Sequence, residues 1–314
     1  MDNSLKRIVT VVSEELPVSE KLQIQKFVLG NGKGPRMCIE TGIHGDELEG
    51  QYVCFKMAQI LSQNLDKING TVEIWPAINP LGVDSVSRGI PTFDLDMNRT
   101  FPGQLGGHMV EKVAHDVVAD LAGADMVVDI HSSNVFLYEM PQARISESTA
   151  QKLVPYAKLL NLDFIWVHEA ATVLQSTIAH SLNSIGTPTL VVEMGIGMRI
   201  TTDYGDRLVD GLFNLMRHLG IWTGPVAQSF TTPQLSTRGD VQMINAPVSG
   251  VVVNVARHSD WVTKGQLLCQ VVSSLTGQVL ADVTAPVDGL LFTMRGYPIV
   301  YEGSLLARIF TLNK

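Results

Sequence analysis

Two periodicities divide the chain. From residue 7 to about 221, short apolar runs alternate with stretches in which apolar residues return every three or four positions. The runs at 8–12, 37–41, 71–78, 126–130, 164–167 and 190–193 read as strands. The three-to-four pattern over 49–61, 110–122, 148–160, 172–185 and 204–219 reads as helices. Such alternation predicts an α/β fold with helices covering a sheet. Sites in such sheets gather at the carboxyl ends of strands. His44, Asn79, His131 and Glu193 all fall at or just past predicted strand ends.

Periodicity is lost over residues 220–236, which are rich in Gly, Pro, Ser and Thr and suit a linker. Beyond it, short Val-rich runs separated by Gly and Pro predict a small all-β unit. Ala246-Pro247-Val248-Ser249-Gly250-Val251 returns as Ala285-Pro286-Val287-Asp288-Gly289-Leu290, so this unit reads as two related halves. The expected division is an α/β domain over 1–225 and a β domain over 235–314. The second resembles the barrel-sandwich fold of biotinyl and lipoyl carrier domains. Its turn Leu275-Thr276-Gly277-Gln278 has no lysine to modify, so a covering or gating role is expected instead.

Composition narrows the class. The chain of 314 residues is 45% hydrophobic and 17% charged, enough for a substantial core. Its net charge of -8 argues against a nucleic-acid or anionic-membrane partner. No run approaches the roughly 18 apolar residues of a membrane span. Cys38, Cys54 and Cys269 are scattered in apolar runs and read as buried free thiols. The N-terminus lacks a signal-peptide pattern. A cytoplasmic protein is expected, with homo-oligomerisation only at its base rate.

His44-Gly45-Asp46-Glu47 is the most informative stretch. It sets an imidazole and a carboxylate three residues apart, where a strand is expected to turn into a helix and put both on one face. Catalytic zinc takes three protein ligands and an open position. His131, closing the run Val128-Asp129-Ile130-His131, is the third candidate. Asp129, two residues earlier on a strand, shares its face and suits the carboxylate that orients a metal-bound imidazole. Glu193 ends the apolar run Leu190-Val191-Val192, where an unpaired charge is costly, and is the candidate general base. Arg88, Asn98 and Arg99 form an anion-binding set in a loop-like segment, against the simpler possibility that the arginines pair with Asp94 or Asp96. Ser132 and Ser133 suit a turn or cap better than a nucleophile. His168 is the one further histidine considered for the pocket wall.

With His44-Gly45-Asp46-Glu47, Asp96-Met97-Asn98-Arg99, Asp129-Ile130-His131 and Val192-Glu193 in this order, the chain resembles the succinylglutamate desuccinylase/aspartoacylase family. That family is itself similar to zinc carboxypeptidases. The resemblance implies a zinc-peptidase-like mixed sheet flanked by helices, followed by a smaller β domain. It implies one zinc ion held by His44, Glu47 and His131, with Glu193 as general acid and base. Arg88 would polarise the scissile carbonyl, and Asn98 with Arg99 would hold the amino acid carboxylate. A β-domain tyrosine, either Tyr297 or Tyr301, would reach the substrate. Aspartoacylase-like members carry a further arginine for a second substrate carboxylate. Between His131 and Glu193 only Arg144 is available, in a context that does not match. A substrate with one carboxylate, or an amine-bearing product, is therefore expected. Glu139, Glu169 and Asp203 are the acids considered for a cationic side chain, against the default of solvated charge.

The expected activity is zinc-dependent hydrolysis of a small N-acyl amino acid, a deacetylation or desuccinylation. A metallocarboxypeptidase shares the ligands and differs in the pocket. A non-catalytic binding protein with this fold has no need of Glu193.

Overall fold

The computed structural model describes residues 5–169, 175–236 and 240–311. Strands β1 (Lys6–Glu15), β2 (Lys21–Gly30), β3 (Arg36–Thr41), β4 (Thr71–Trp75), β5 (Met126–Ser132), β6 (Leu137–Ser146), β7 (Phe164–His168), β8 (Thr189–Gly195) and β9 (Gln234–Ser236) belong to the first part of the chain. Helices α1 (Glu49–Gln63), α2 (Pro80–Ser85), α3 (Met109–Leu121), α4 (Ala150–Ala157), α5 (Ile178–Ser184) and α6 (Thr202–His218) lie among them. Strands β10 (Val241–Asn245), β11 (Gly250–Asn254), β12 (Trp261–Val262), β13 (Leu267–Val272), β14 (Val279–Thr284), β15 (Gly289–Arg295), β16 (Ile299–Val300) and β17 (Leu305–Phe310) follow.

The core strands β3, β4, β5 and β8 are parallel neighbours, while β1, β2 and β6 add antiparallel pairings, so the sheet is mixed. Parallel strands are covered on both faces, which is why these read as unbroken apolar runs. One face packs against α1, α4 and α6 through residues such as Met57, Leu153 and Leu212. The other packs against α3 and α5 through Val113, Val117, Ile178 and Leu182. In β5 the two cores divide by parity, with Val128 and Ile130 on the first side and Val127 on the second.

The C-terminal unit has its own core, which includes Val271, Leu291 and Ile309. Its sheet β14-β13-β11-β16 stands apart. Its strands β15, β17 and β10, however, continue the main sheet, which runs β1-β2-β4-β3-β5-β8-β6-β15-β17-β10. Strand β15 pairs with β6 through Thr293 with Glu139 and Met294 with Tyr138. A small core of Met140, Phe164, Leu290, Phe292 and Phe310 spans this junction. The β unit is thus joined to the α/β part by a hydrogen-bonded ladder as well as by the linker.

Three of the first nine strands escape the apolar-run signal: β2, β6 and β9, the last at the end of the expected linker and paired with β7. Strand β2 alternates polar and apolar residues. Strand β6 carries Pro141, which ordinarily argues against a strand interior. That proline falls where the β6–β8 register shifts, between Glu139 and Gln142, so no regular ladder bond is lost there. Helix α4 is shorter than its pattern suggests and contains Pro155. The expected start of α5 lies partly outside the described residues. Among the described residues, no helix is long and apolar enough to cross a membrane.

Candidate metal centre and active-site cavity

The opening motif lies before α1, and its geometry is that of a turn. Glu47 N donates to His44 O at 3.3 Å, and Gly45 N donates to Ser87 O at 3.1 Å. The expectation of a shared helix face is corrected: a turn, not a helix, brings His44 and Glu47 together. Gly45 is required because a Cβ there would sit 1.9 Å from the backbone carbon of Gly82.

His44, Glu47 and His131 are buried and offer ligand atoms all within 4.8 Å of one another. Glu47 bridges the imidazoles: its Oε1 lies 2.8 Å from His44 Nδ1 and its Oε2 lies 2.8 Å from His131 Nδ1. Each ring turns its other nitrogen to a carboxylate. His44 Nε2 lies 3.0 Å from Asp96 Oδ1, and His131 Nε2 lies 2.9 Å from Asp129 Oδ1. Both Nδ1 atoms therefore face one point, and both rings are oriented from behind, as metal-bound histidines usually are. His44 Nδ1 is buried and has no hydrogen-bond partner despite its nearness to Glu47. Two imidazoles and one carboxylate are a donor set suited to zinc. The residues present fit the ion.

Electrostatics bear the same mark. Burial opposes the charge on Glu47, yet His131 and His44 hold it well below the usual carboxylate range. Burial likewise opposes the charge on Asp96, yet His44 and Arg88 hold it below that range. Burial works against protonation of His44 and His131, but the surrounding carboxylates raise both.

These side chains open into a cavity of about 700 Å³, lined also by Arg88, Asn98, Arg99, Arg144, Glu193 and Arg308. That volume is ample for a small molecule. Glu193 is the register partner of His131 across the β5–β8 ladder, so both side chains leave the same face. Burial pushes the Glu193 carboxyl up, against the pull of Arg144, whose Nη1 lies 3.1 Å from Glu193 Oε1. Arg88 donates to Glu47 Oε1 at 2.8 Å. Asn98 Oδ1 accepts from Ile178 N at 3.0 Å, so a ligand would meet its amide donor end. Arg99 is exposed, and its Nη1 donates to Asn98 O at 2.7 Å. Ser132 Oγ accepts from Glu49 N at 3.1 Å and so caps α1. His168 and His180 also line the wall.

The structure does not bring the two tyrosines to this wall. Tyr297 packs edge-on against Phe136 with ring centroids 5.6 Å apart, and Tyr301 is 76% exposed. Glu139 is not a solvated charge: it is buried and paired with Arg144 and Arg308. Asp203 is exposed in the first turn of α6 and lies off the cavity.

Three contributors have parts that the sequence did not assign to them. Asp96 stands inside the quoted Asp96-Met97-Asn98-Arg99 motif, and only its position behind His44 reveals its part. Arg144 had no spacing to recommend it. Arg308 had a signal: it is the one charge in the apolar run Leu305-Leu306-Ala307-Arg308-Ile309-Phe310, the same anomaly that marked Glu193.

Known proteins resemble the chain in sequence and in fold. The family model described as the succinylglutamate desuccinylase/aspartoacylase catalytic domain matches residues 33–219. An N-alpha-acetyl-L-2,4-diaminobutyric acid deacetylase of Halomonas elongata is 26% identical, over 94% of this chain and 89% of that protein. The product-bound structure of the ectoine utilization protein EutE (DoeB) from Ruegeria pomeroyi superposes with a TM-score of 0.86 at 23% identity, covering 99% of this chain and 96% of that one. A metallo-carboxypeptidase from Burkholderia cenocepacia shares the fold more distantly, with a TM-score of 0.53 at 13% identity over 70% of this chain and 65% of that one.

Proposed function

Because the chain belongs to the succinylglutamate desuccinylase/aspartoacylase family, we propose that it hydrolyses the amide bond of a small N-acyl amino acid with the help of one zinc ion. His44, Glu47 and His131 would hold the ion. The observation that carries the reading is the placement of Glu193 beside His131 on one sheet face, inside a cavity shared with the whole donor set. A binding protein has no use for that carboxyl group.

Zinc, when bound, supplies a Lewis acid and lowers the pKa of water to about 7. The chain's own residues account for the rest. Glu193 takes a proton from the water that attacks the amide carbon. As the carbon–nitrogen bond breaks, Glu193 returns that proton to the leaving amine. Burial raises its pKa in the metal-free chain, the direction that favours a group which both takes and returns a proton. The Arg88 guanidinium, which lies beside Glu47, stabilises the oxyanion in this reading. Arg99 and Asn98, which also line the cavity, hold the amino acid carboxylate. The products are a carboxylate and a free amino acid.

The Halomonas relative's name puts N-acetylated diamino acids first among substrates to try. Three buried free cysteines support a reducing, cytoplasmic setting. The deciding experiment offers the zinc-loaded protein a panel of N-acetyl and N-succinyl amino acids, with short peptides alongside. Release of free amino acid from at least one acyl derivative is expected. Trimming of peptides alone would overturn the assignment in favour of a carboxypeptidase.

A further inference from the structure

Four donors converge on the buried carboxylate of Glu139. Its Oε2 accepts from Gln142 Nε2 at 2.8 Å and from Thr293 Oγ1 at 2.5 Å. Its Oε1 is shared by Arg144 Nη2 at 3.1 Å and Arg308 Nη1 at 2.7 Å. Thr293 on β15 and Arg308 on β17 both come from the C-terminal unit. Both guanidiniums lie over the ring of Trp166, at 5.6 and 5.3 Å. The remaining terminal nitrogen of Arg144 reaches Glu193.

Arg144 therefore stands between two carboxylates. A guanidinium offered one open carboxylate prefers to bind it with two parallel hydrogen bonds. Glu139 is denied that arrangement. Gln142 and Thr293 fill one of its oxygens, and Arg308 shares the other. Arg144 consequently gives one nitrogen to Glu139 and one to Glu193. Two cations and two anions balance across the cluster, so removing one charge leaves a buried partner uncompensated.

We infer that Arg308, supplied by the C-terminal β unit, is a positioning residue for Glu193: it occupies Glu139, and so leaves Arg144 free to hold the Glu193 carboxylate beside the metal ligands. The contribution of the β unit to the site is thus a charge relay through Arg308, Glu139 and Arg144. The kinetic part of this inference rests on the hydrolase reading above; the geometric part does not.

The test uses the full chain with Arg308→Met and Arg308→Lys. The kinetic arm measures kcat and KM of the zinc-loaded protein on the acyl amino acid that wild type turns over best. Arg308→Met should lower kcat about 10- to 100-fold with KM within about threefold, because the carboxylate anchors Asn98 and Arg99 are untouched. Arg308→Lys should recover much of the loss. The structural arm is a crystal structure of metal-free Arg308→Met, in which Arg144 should turn both nitrogens to Glu139 and leave Glu193. Thr293→Val, which removes one neutral donor from Glu139, should shift Arg144 the same way by less, and it serves if Arg308→Met does not fold. An unmoved Arg144–Glu193 contact overturns the inference. So does a rise in KM at constant kcat, which would make Arg308 a substrate contact. A wild type that hydrolyses no acyl amino acid refutes the hydrolase reading, while the crystal comparison still decides the role of Arg308.

Discussion

Glu193 and His131 are paired residues on adjacent parallel strands, so a candidate proton shuttle and a candidate metal ligand project side by side from one sheet face. The pairing separates their roles as well as joining them. Glu47 and the two imidazoles form the candidate donor set, and Glu193 is held by Arg144.

Replacing Glu193 with Gln keeps the shape and removes the proton shuttle. Turnover should fall by about 10²- to 10⁴-fold, with zinc content unchanged at one ion per chain. Metal analysis alongside initial rates checks this; a variant that retained full activity would remove Glu193 from the chemistry.

Asp96 orients His44 from behind. Asp96→Asn keeps the hydrogen-bonding shape but loses the charge that makes the imidazole a stronger donor. Zinc affinity should drop by about 10- to 100-fold. Competition with a chelator of known affinity reads the change directly.

The two imidazoles impose a sign on the pH dependence of the metal-free protein. Burial disfavours their protonated forms, but Glu47 and Asp96 around His44, and Asp129 and Glu47 around His131, outweigh it and raise both pKa values. A raised folded-state pKa contributes stability that is fully present below the unfolded value of 6.5 and is lost as pH rises through the folded one. The metal-free protein should therefore weaken as pH climbs above neutrality. Zinc competes with the same protons, so its apparent affinity should rise over that window and the stabilisation it confers should grow. Thermal unfolding with and without zinc at several pH values checks both slopes. A metal-free midpoint that climbs with pH above neutrality would contradict the assignment.

Gly45 lies against the backbone of Gly82, with no room for a Cβ. Gly45→Ala should push the turn that carries His44 and Glu47 away from the loop that carries Arg88. A loss of about 1–3 kcal/mol in stability is expected, with weaker zinc binding. Denaturant unfolding and zinc titration measure the two effects.

Much of this protein is decided by local pattern. The apolar runs that became β3, β5, β7 and β8 are legible because buried parallel strands are apolar on both faces, and α1, α3 and α6 because one helical stripe must meet the sheet. His44, Glu47, His131 and Glu193 are legible because each sits where a strand meets polar chemistry, in a motif order that is hard to meet by chance. What only the tertiary structure decided is how distant segments compete for the same partners. Strand β6 hid behind Pro141, and with it the pairing of Glu139 with Arg144. Neither tyrosine expected over the site lines the cavity, while Arg308, 169 residues from Glu139, reaches its carboxylate. Periodicity reports which face a side chain takes on its own element. It carries no information on which charge from another element arrives opposite, because that depends on how strands separated by half the chain are laid side by side.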